Sequence, residues 1–262
     1  MSQHRPLIVL TTGDPFPAML EQRGPFSRMI QERIGSAWKG DYAAVDVRTS
    51  DPPDPRAAAG FIITGSAAHV WAREPWMLKT EAWLRDAVPL GAPILGICFG
   101  HQLLAQALGG EVIRNPRGRE IGTRVIERTA DDPIFDGLPS RFEANATHLD
   151  TVGRLPHGAA VLAKSPLDDR QAIRFSPTCY GVQFHPEIDA EIMRSYVLSR
   201  REILLQEGFE VDALLASIDE GRESSVILRN FLRHVVTLGA QMTGSSRTDE
   251  PVTSSRRLAH PY

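Results

Sequence analysis

Cys98 is the residue of this chain whose surroundings best suit covalent chemistry. It ends the apolar run Pro93-Ile94-Leu95-Gly96-Ile97 and is flanked at two-residue distance by Gly96 and Gly100. Leu103, Leu104, Ala107 and Leu108 then recur at helical spacing. The stretch reads as a buried strand, a sharp turn and a helix. Gly-x-Cys-x-Gly is the thiol counterpart of the Gly-x-Ser-x-Gly elbow, where small neighbours permit a turn too tight for a side chain. Such a turn lifts the sulfur above the sheet, at the positive end of the next helix, a place that favours thiolate.

Two glycines around a cysteine also fit a purely structural role, and a second stretch weighs against that. Tyr180-Gly181-Val182-Gln183-Phe184 reads as another apolar strand and runs into His185-Pro186-Glu187. Period two along a strand puts His185 and Glu187 on one face. Glu187 can then orient the ring while the other nitrogen faces a thiol. Nucleophile, base and orienting acid are the parts of a triad. An elbow also supplies an oxyanion donor from the residue after the nucleophile, here the Phe99 amide.

These residues need elements to carry them. Leu7 to Thr12 reads as a first strand opening on Gly13-Asp14-Pro15, and the segment up to Pro25 as a loop rich in proline and glycine. Phe26, Met29, Ile30 and Ile34 give helical periodicity, Val45, Val47 and Thr49 alternate as a strand, and Gly60 to Ser66 is a third strand. Trp76 to Ala87 is helical after a Glu74-Pro75 start. This rhythm implies a mostly parallel sheet covered by helices on both faces, with ligands at the carboxyl ends of the strands. From Glu111 to Gln183 short strands follow without a long helix, which suggests a small antiparallel excursion packed beside the main sheet. Helices are expected over Glu191–Gln206, Val211–Ile218 and Ser225–Leu238 as a C-terminal extension. The division expected is residues 1–190, then a helical extension over 191–240. A polar, disordered tail over 241–262 completes it.

The motifs Gly96-Ile97-Cys98-Phe99-Gly100-His101-Gln102 and Gly181-Val182-Gln183-Phe184-His185-Pro186-Glu187 resemble the two signatures of the class I glutamine amidotransferases, in matching order and spacing. The resemblance runs from the first strand to about Glu187 and implies an α/β, flavodoxin-like fold. It also implies hydrolysis of the glutamine side-chain amide through Cys98, His185 and Glu187, by way of a γ-glutamyl thioester. Gly65 in Thr64-Gly65-Ser66 becomes the second oxyanion donor by resemblance, and Gln102 a contact for the amino-acid end of the substrate. Thr147-His148-Leu149-Asp150 is similar to the family's Ser-His-x-Asp loop, with threonine for serine. His148 and Asp150 are thus substrate-flanking candidates, although in synthetase-linked relatives the acid faces the partner domain. Gly13-Asp14-Pro15 and Glu120-Ile121-Gly122 resemble the freestanding branch, similar to the glutaminase domain of GMP synthase. Many of those relatives carry an aromatic residue where this chain has Thr123. No cofactor is implied.

Other candidates have plainer readings. His101 fits a capping or packing place in the first helical turn, and Cys179 a small core residue. His69 and Trp71 could cover the pocket or pack within their own loop. Arg117, Arg119 and Glu120 read as a solvated charged turn. No His, Cys, Asp and Glu group has structural-zinc spacing.

Bulk properties narrow the classes. At 262 residues one α/β domain with appendages is expected, and a net charge of −3 points to neither nucleic acid nor a membrane as partner. No apolar run reaches the ~18 residues of a membrane span. The N-terminus carries no signal-peptide pattern, so the expected place is the cytoplasm with its two cysteines reduced. No Walker-type loop is visible, and residues 188–262 are too few for a nucleotide-activating domain. The leading expectation is therefore a glutamine amidotransferase that passes ammonia to a separate synthetase subunit. The alternative is a stand-alone γ-glutamyl hydrolase or peptidase, and the third reading a non-catalytic binding protein of the same fold.

Overall fold

A computed structural model describes residues 5–238 of the chain, so the tail expected over 241–262 lies outside the described residues. The first half alternates β1 (Leu7–Thr11), α1 (Pro17–Arg23), α2 (Phe26–Ile34), β2 (Tyr42–Asp46), β3 (Gly60–Ile63), α3 (Pro75–Ala87), β4 (Ile94–Ile97) and α4 (Phe99–Ala107). Then come β5 (Glu111–Arg114), β6 (Glu120–Arg128), β7 (Arg141–His148), β8 (Asp150–Arg154), β9 (Ala160–Lys164), β10 (Ala172–Ser176) and β11 (Cys179–Val182). The chain continues through α5 (Ala190–Ser199), α6 (Arg201–Gln206), α7 (Val211–Ala216), α8 (Val226–Asn230) and a π-helical stretch, Phe231–Val236.

Nine strands form one sheet in the order β2-β1-β3-β4-β11-β10-β9-β6-β7. The first five are mutually parallel. The last four add antiparallel. The antiparallel excursion thus prolongs the main sheet, while β5 and β8 pair separately. Central strands β1, β3, β4 and β11 are buried along their length, as expected of parallel strands covered on both faces. Successive side chains divide between two cores. Leu7, Val9, Ile62 and Leu95 pack on α2, α8 and Phe231–Val236, and Ile8, Leu10, Phe61 and Ile94 pack on α3 and α4. A third core joins α1 and α2 to α5, α6 and α7.

Two expectations need correction. The segment before Pro25 contains α1, with Pro17 in its first turn and Gly24 at its end (φ 80°). Proline there loses no intrahelical bond, and glycine closes a helix readily, so those residues punctuate a helix and not a loop. The run expected from Glu191 to Gln206 breaks at Arg200 (φ −112°, ψ 13°), whose amide turns back to the carbonyls of Val197 and Leu198. Among the described residues no helix is long and apolar enough to cross a membrane.

Candidate active site

Gly65, Cys98 and His185 follow three adjacent strands, β3, β4 and β11, at the carboxyl edge of the parallel sheet. Cys98 sits between β4 and α4 with φ 50° and ψ −101°, a conformation that costs a side-chain-bearing residue on the order of 1–3 kcal/mol. Its amide donates to the Val182 carbonyl at 2.8 Å, which ties the elbow to β11. The two glycines are steric requirements. A Cβ at Gly96 would come within 2.5 Å of the Gly100 carbonyl, and one at Gly100 within 2.5 Å of the Ile63 carbonyl oxygen. Backbone on the far side of each contact cannot yield, so the elbow exists only with glycine at both places. Cys98 itself is 6% exposed.

His185 reaches Cys98 differently from expectation. Strand β11 ends at Val182, opposite Ile97, and residues 183–187 form a bend and a turn. The turn, and not strand periodicity, brings His185 Nδ1 to 2.8 Å from Glu187 Oε1. The His185 amide donates to the Asn145 carbonyl at 2.8 Å, and the Phe26 ring stacks on the imidazole with centroids 6.4 Å apart. A carboxylate at Nδ1 fixes the proton there, so Nε2 is the nitrogen left to exchange a proton. Nε2 is buried and has no conventional hydrogen bond, but it shares an electrostatic environment with the sulfur. Burial alone would raise the Cys98 thiol, and the neighbouring His185 overcomes it and sets the pKa below the ordinary value. Burial likewise favours neutral imidazole, and Glu187 and Cys98 together lift His185 to about 10. Each group thus favours the charged form of the other.

Gly65 faces this pair at close range. A Cβ there would lie 2.9 Å from His185 Cε1 and 3.8 Å from Cys98 Cβ. Its carbonyl accepts from Thr12 Oγ1 at 3.2 Å, and the same hydroxyl donates to the Thr64 carbonyl at 2.8 Å, so β1 fixes the loop after β3. Phe99 opens α4, where helix amides lack intrahelical partners, and its ring packs against Trp76.

The expected substrate-flanking residues form a buried polar layer beside the thiol. Gln102 Nε2 donates to the Asp150 carbonyl at 2.9 Å and to Gln183 Oε1 at 3.0 Å. His148 ends β7 and is buried, with Nδ1 3.1 Å from the Asp150 carbonyl oxygen and Nε2 2.9 Å from Glu120 Oε2. Asp150 begins β8, and its carboxylate holds the loop after β3 through His69 Nδ1 at 2.5 Å and Trp71 Nε1 at 3.2 Å. His69 and Trp71 stack with centroids 4.5 Å apart.

Glu120 corrects the reading of a solvated turn. It is fully buried, its Oε2 takes His148 and Gln171 Nε2, and opposition to burial by His148 holds its pKa below the ordinary value. Arg119 is clamped to Glu207 by two hydrogen bonds of 2.7 and 3.0 Å; Arg117 pairs with Asp169 nearer the surface. Glu120 escaped sequence reasoning because its meaning depends on a register, Glu120 opposite His148, that no local pattern encodes. Gln183, the partner of Gln102, was missed because its contact too depends on pairing across the fold. Thr123 donates to Asn145 Oδ1 at 2.8 Å. His101 is packed beneath Gly181, and burial drives it to about 3. Cys179 is a free, fully buried strand residue whose thiol burial pushes up.

Residues 45–203 match the model of the family "Glutamine amidotransferase class-I". The chain is 42% identical over 139 residues to the GMP synthase [glutamine-hydrolyzing] of Thermomicrobium roseum, covering 53% of this chain and 25% of that protein. It is 38% identical over 125 residues to one subunit of the GMP synthase [glutamine-hydrolyzing] of Archaeoglobus fulgidus, covering 45% of this chain and 65% of the relative. The chain therefore spans a quarter of the first relative's length and just under two thirds of the second's. Among solved structures, a glutamine amidotransferase from Thermotoga maritima superposes with a TM-score of 0.72 at 21% identity, covering 89% of this chain and 99% of the other. A putative GMP synthase subunit from Thermoplasma acidophilum gives 0.67 at 20%, covering 93% and 100%. These two likenesses concern the fold.

Proposed function

Because the chain belongs to the class I glutamine amidotransferase family, we propose that it hydrolyses the side-chain amide of glutamine, with Cys98 as nucleophile, His185 as base and acid, and Glu187 as the orienting carboxylate. The observation that carries this reading is the convergence of a buried Cys98 on its strained elbow and a His185 held by Glu187 at 2.8 Å, both within 4 Å of where a Cβ on Gly65 would lie.

The Cys98 thiolate attacks the carboxamide carbon, forming a C–S bond and a tetrahedral oxyanion. The amides of Phe99 and Gly65 donate to that oxygen; loss of one such donor typically costs about 100- to 1000-fold in rate. Imidazolium at His185 gives its Nε2 proton to the leaving nitrogen, the C–N bond breaks and ammonia departs. Neutral His185 then takes a proton from water, which attacks the γ-glutamyl thioester. Glutamate leaves and the thiolate returns. Through all of this Glu187 keeps the ring aligned and offsets its positive charge.

The ammonia is consumed by a separate partner that activates the acceptor. Support comes from the name of the Archaeoglobus fulgidus relative, which makes it one subunit of a glutamine-hydrolysing GMP synthase. The test is ammonia release from glutamine, with and without candidate synthetase subunits, beside a panel of γ-glutamyl amines and peptides. Glutamine turnover that rises with a synthetase subunit is expected. Rapid cleavage of a γ-glutamyl peptide with negligible glutaminase activity under both conditions contradicts the reading.

A further inference from the structure

Arg200 stands at the break between α5 and α6, and its guanidinium carbon lies 4.8 Å from the centroid of the Tyr196 ring. Nη1 is buried and has no hydrogen-bond partner among the described residues. An ionised donor stripped of water and left unpaired costs more than a neutral one, so such a group calls for an explanation. The neighbouring Arg119, by contrast, is forked onto Glu207.

The surroundings place Arg200 at the reacting end of the molecule. Tyr196 is buried, meets Phe16 edge to face at 5.1 Å, and shares a core with Phe26; Phe26 in turn stacks on His185. The guanidinium thus lies on the Tyr196 ring of the same core that holds Phe26, the residue stacked on the imidazole. Burial lowers the Arg200 pKa, an effect that Tyr196 and the Cys98 sulfur oppose and the Arg119 charge reinforces.

We propose that Arg200 is the anchor for the α-carboxylate of the glutamyl group whose side-chain carbonyl is presented to Cys98. This deepens the amidotransferase reading and rests on it. A planar guanidinium with a free edge suits a carboxylate, which accepts two parallel N–H bonds and neutralises the charge. Glutamine carries that group at the end opposite its carboxamide. One contact then selects γ-glutamyl substrates with a free α-carboxylate over simple primary amides, and relieves an unpaired buried charge on binding.

Two reagents with the same warhead test the site: a diazoketone analogue of glutamine and its counterpart lacking the carboxylate. The second-order rate of Cys98 alkylation by each is measured on the full chain, and their ratio cancels any change in thiol reactivity. Arg200→Gln should lower that ratio about 10- to 100-fold, the range of a hydrogen bond to a charged group, and Arg200→Lys should restore part of it. An unchanged ratio in Arg200→Gln overturns the proposal. Failure of the wild-type protein to be alkylated at Cys98 by the glutamine analogue overturns the amidotransferase reading as well, and so separates the two failures.

Discussion

Nε2 of His148 lies 2.9 Å from Oε2 of Glu120, and both side chains are shielded from water. The other imidazole nitrogen meets the Asp150 carbonyl, which can only accept. With an acceptor at each nitrogen the ring is best satisfied as imidazolium, in accord with its raised pKa: burial opposes the charge, and Glu120 and Asp168 outweigh it. The same cation helps lower the Cys98 thiol, after the larger effects of burial and His185.

Removing the Glu120 charge should therefore unbalance a buried pair. Glu120→Gln is expected to destabilise the fold by about 3–5 kcal/mol, read from chemical denaturation. His148 is held above its ordinary 6.5, so its contribution is complete below 6.5 and fades as pH rises through its folded value. Glu120 is held below its ordinary 4.5, so its contribution is present above 4.5 and fades as pH falls through its folded value. The gap between wild type and variant should be widest between those two pH values and narrow on both sides. A gap independent of pH contradicts the charged pair.

Cys98 alkylation should keep its full rate as pH is lowered through the ordinary thiol value of 9.0, and fall only where the depressed pKa is crossed. His185→Gln removes the imidazolium and leaves burial opposed only by the weaker effect of His148, so the midpoint should move upward. A midpoint that stays in place would mean that His185 does not tune the sulfur.

Gly65→Ala tests the close approach at the site. A Cβ 2.9 Å from His185 Cε1 forces the ring away from the sulfur, and a displacement of this size costs about 100-fold in rate. Thermal stability should change little, because the neighbour is the edge of a side chain. The measurement is kcat alongside the melting curve; retention of full activity would place the reacting groups elsewhere.

Much of this arrangement is legible in the sequence where the constraint is local. The elbow can be read because Gly96 and Gly100 answer to backbone atoms a few residues or one strand away, and the parallel half because its buried strands are uninterrupted apolar runs. His185 and Glu187 stand out in the sequence, although the expected reason, strand periodicity, gives way to a turn. What stays hidden depends on pairing across the fold. Glu120 looks solvated until β6 meets β7, and Arg200 looks like the interior of one helix until the chain breaks there. Pro17 and Gly24 read as loop residues because the same types start and stop helices.

Attack of the Cys98 sulfur on a γ-glutamyl amide is the step on which everything else depends. Acid quenching during turnover of glutamine, followed by intact-mass and peptide analysis, tests it most directly. A single γ-glutamyl group on the peptide carrying Cys98, absent from a folded Cys98→Ala variant that releases no ammonia, is the predicted result. An adduct on Cys179, or glutamine hydrolysis that survives Cys98→Ala, would contradict it.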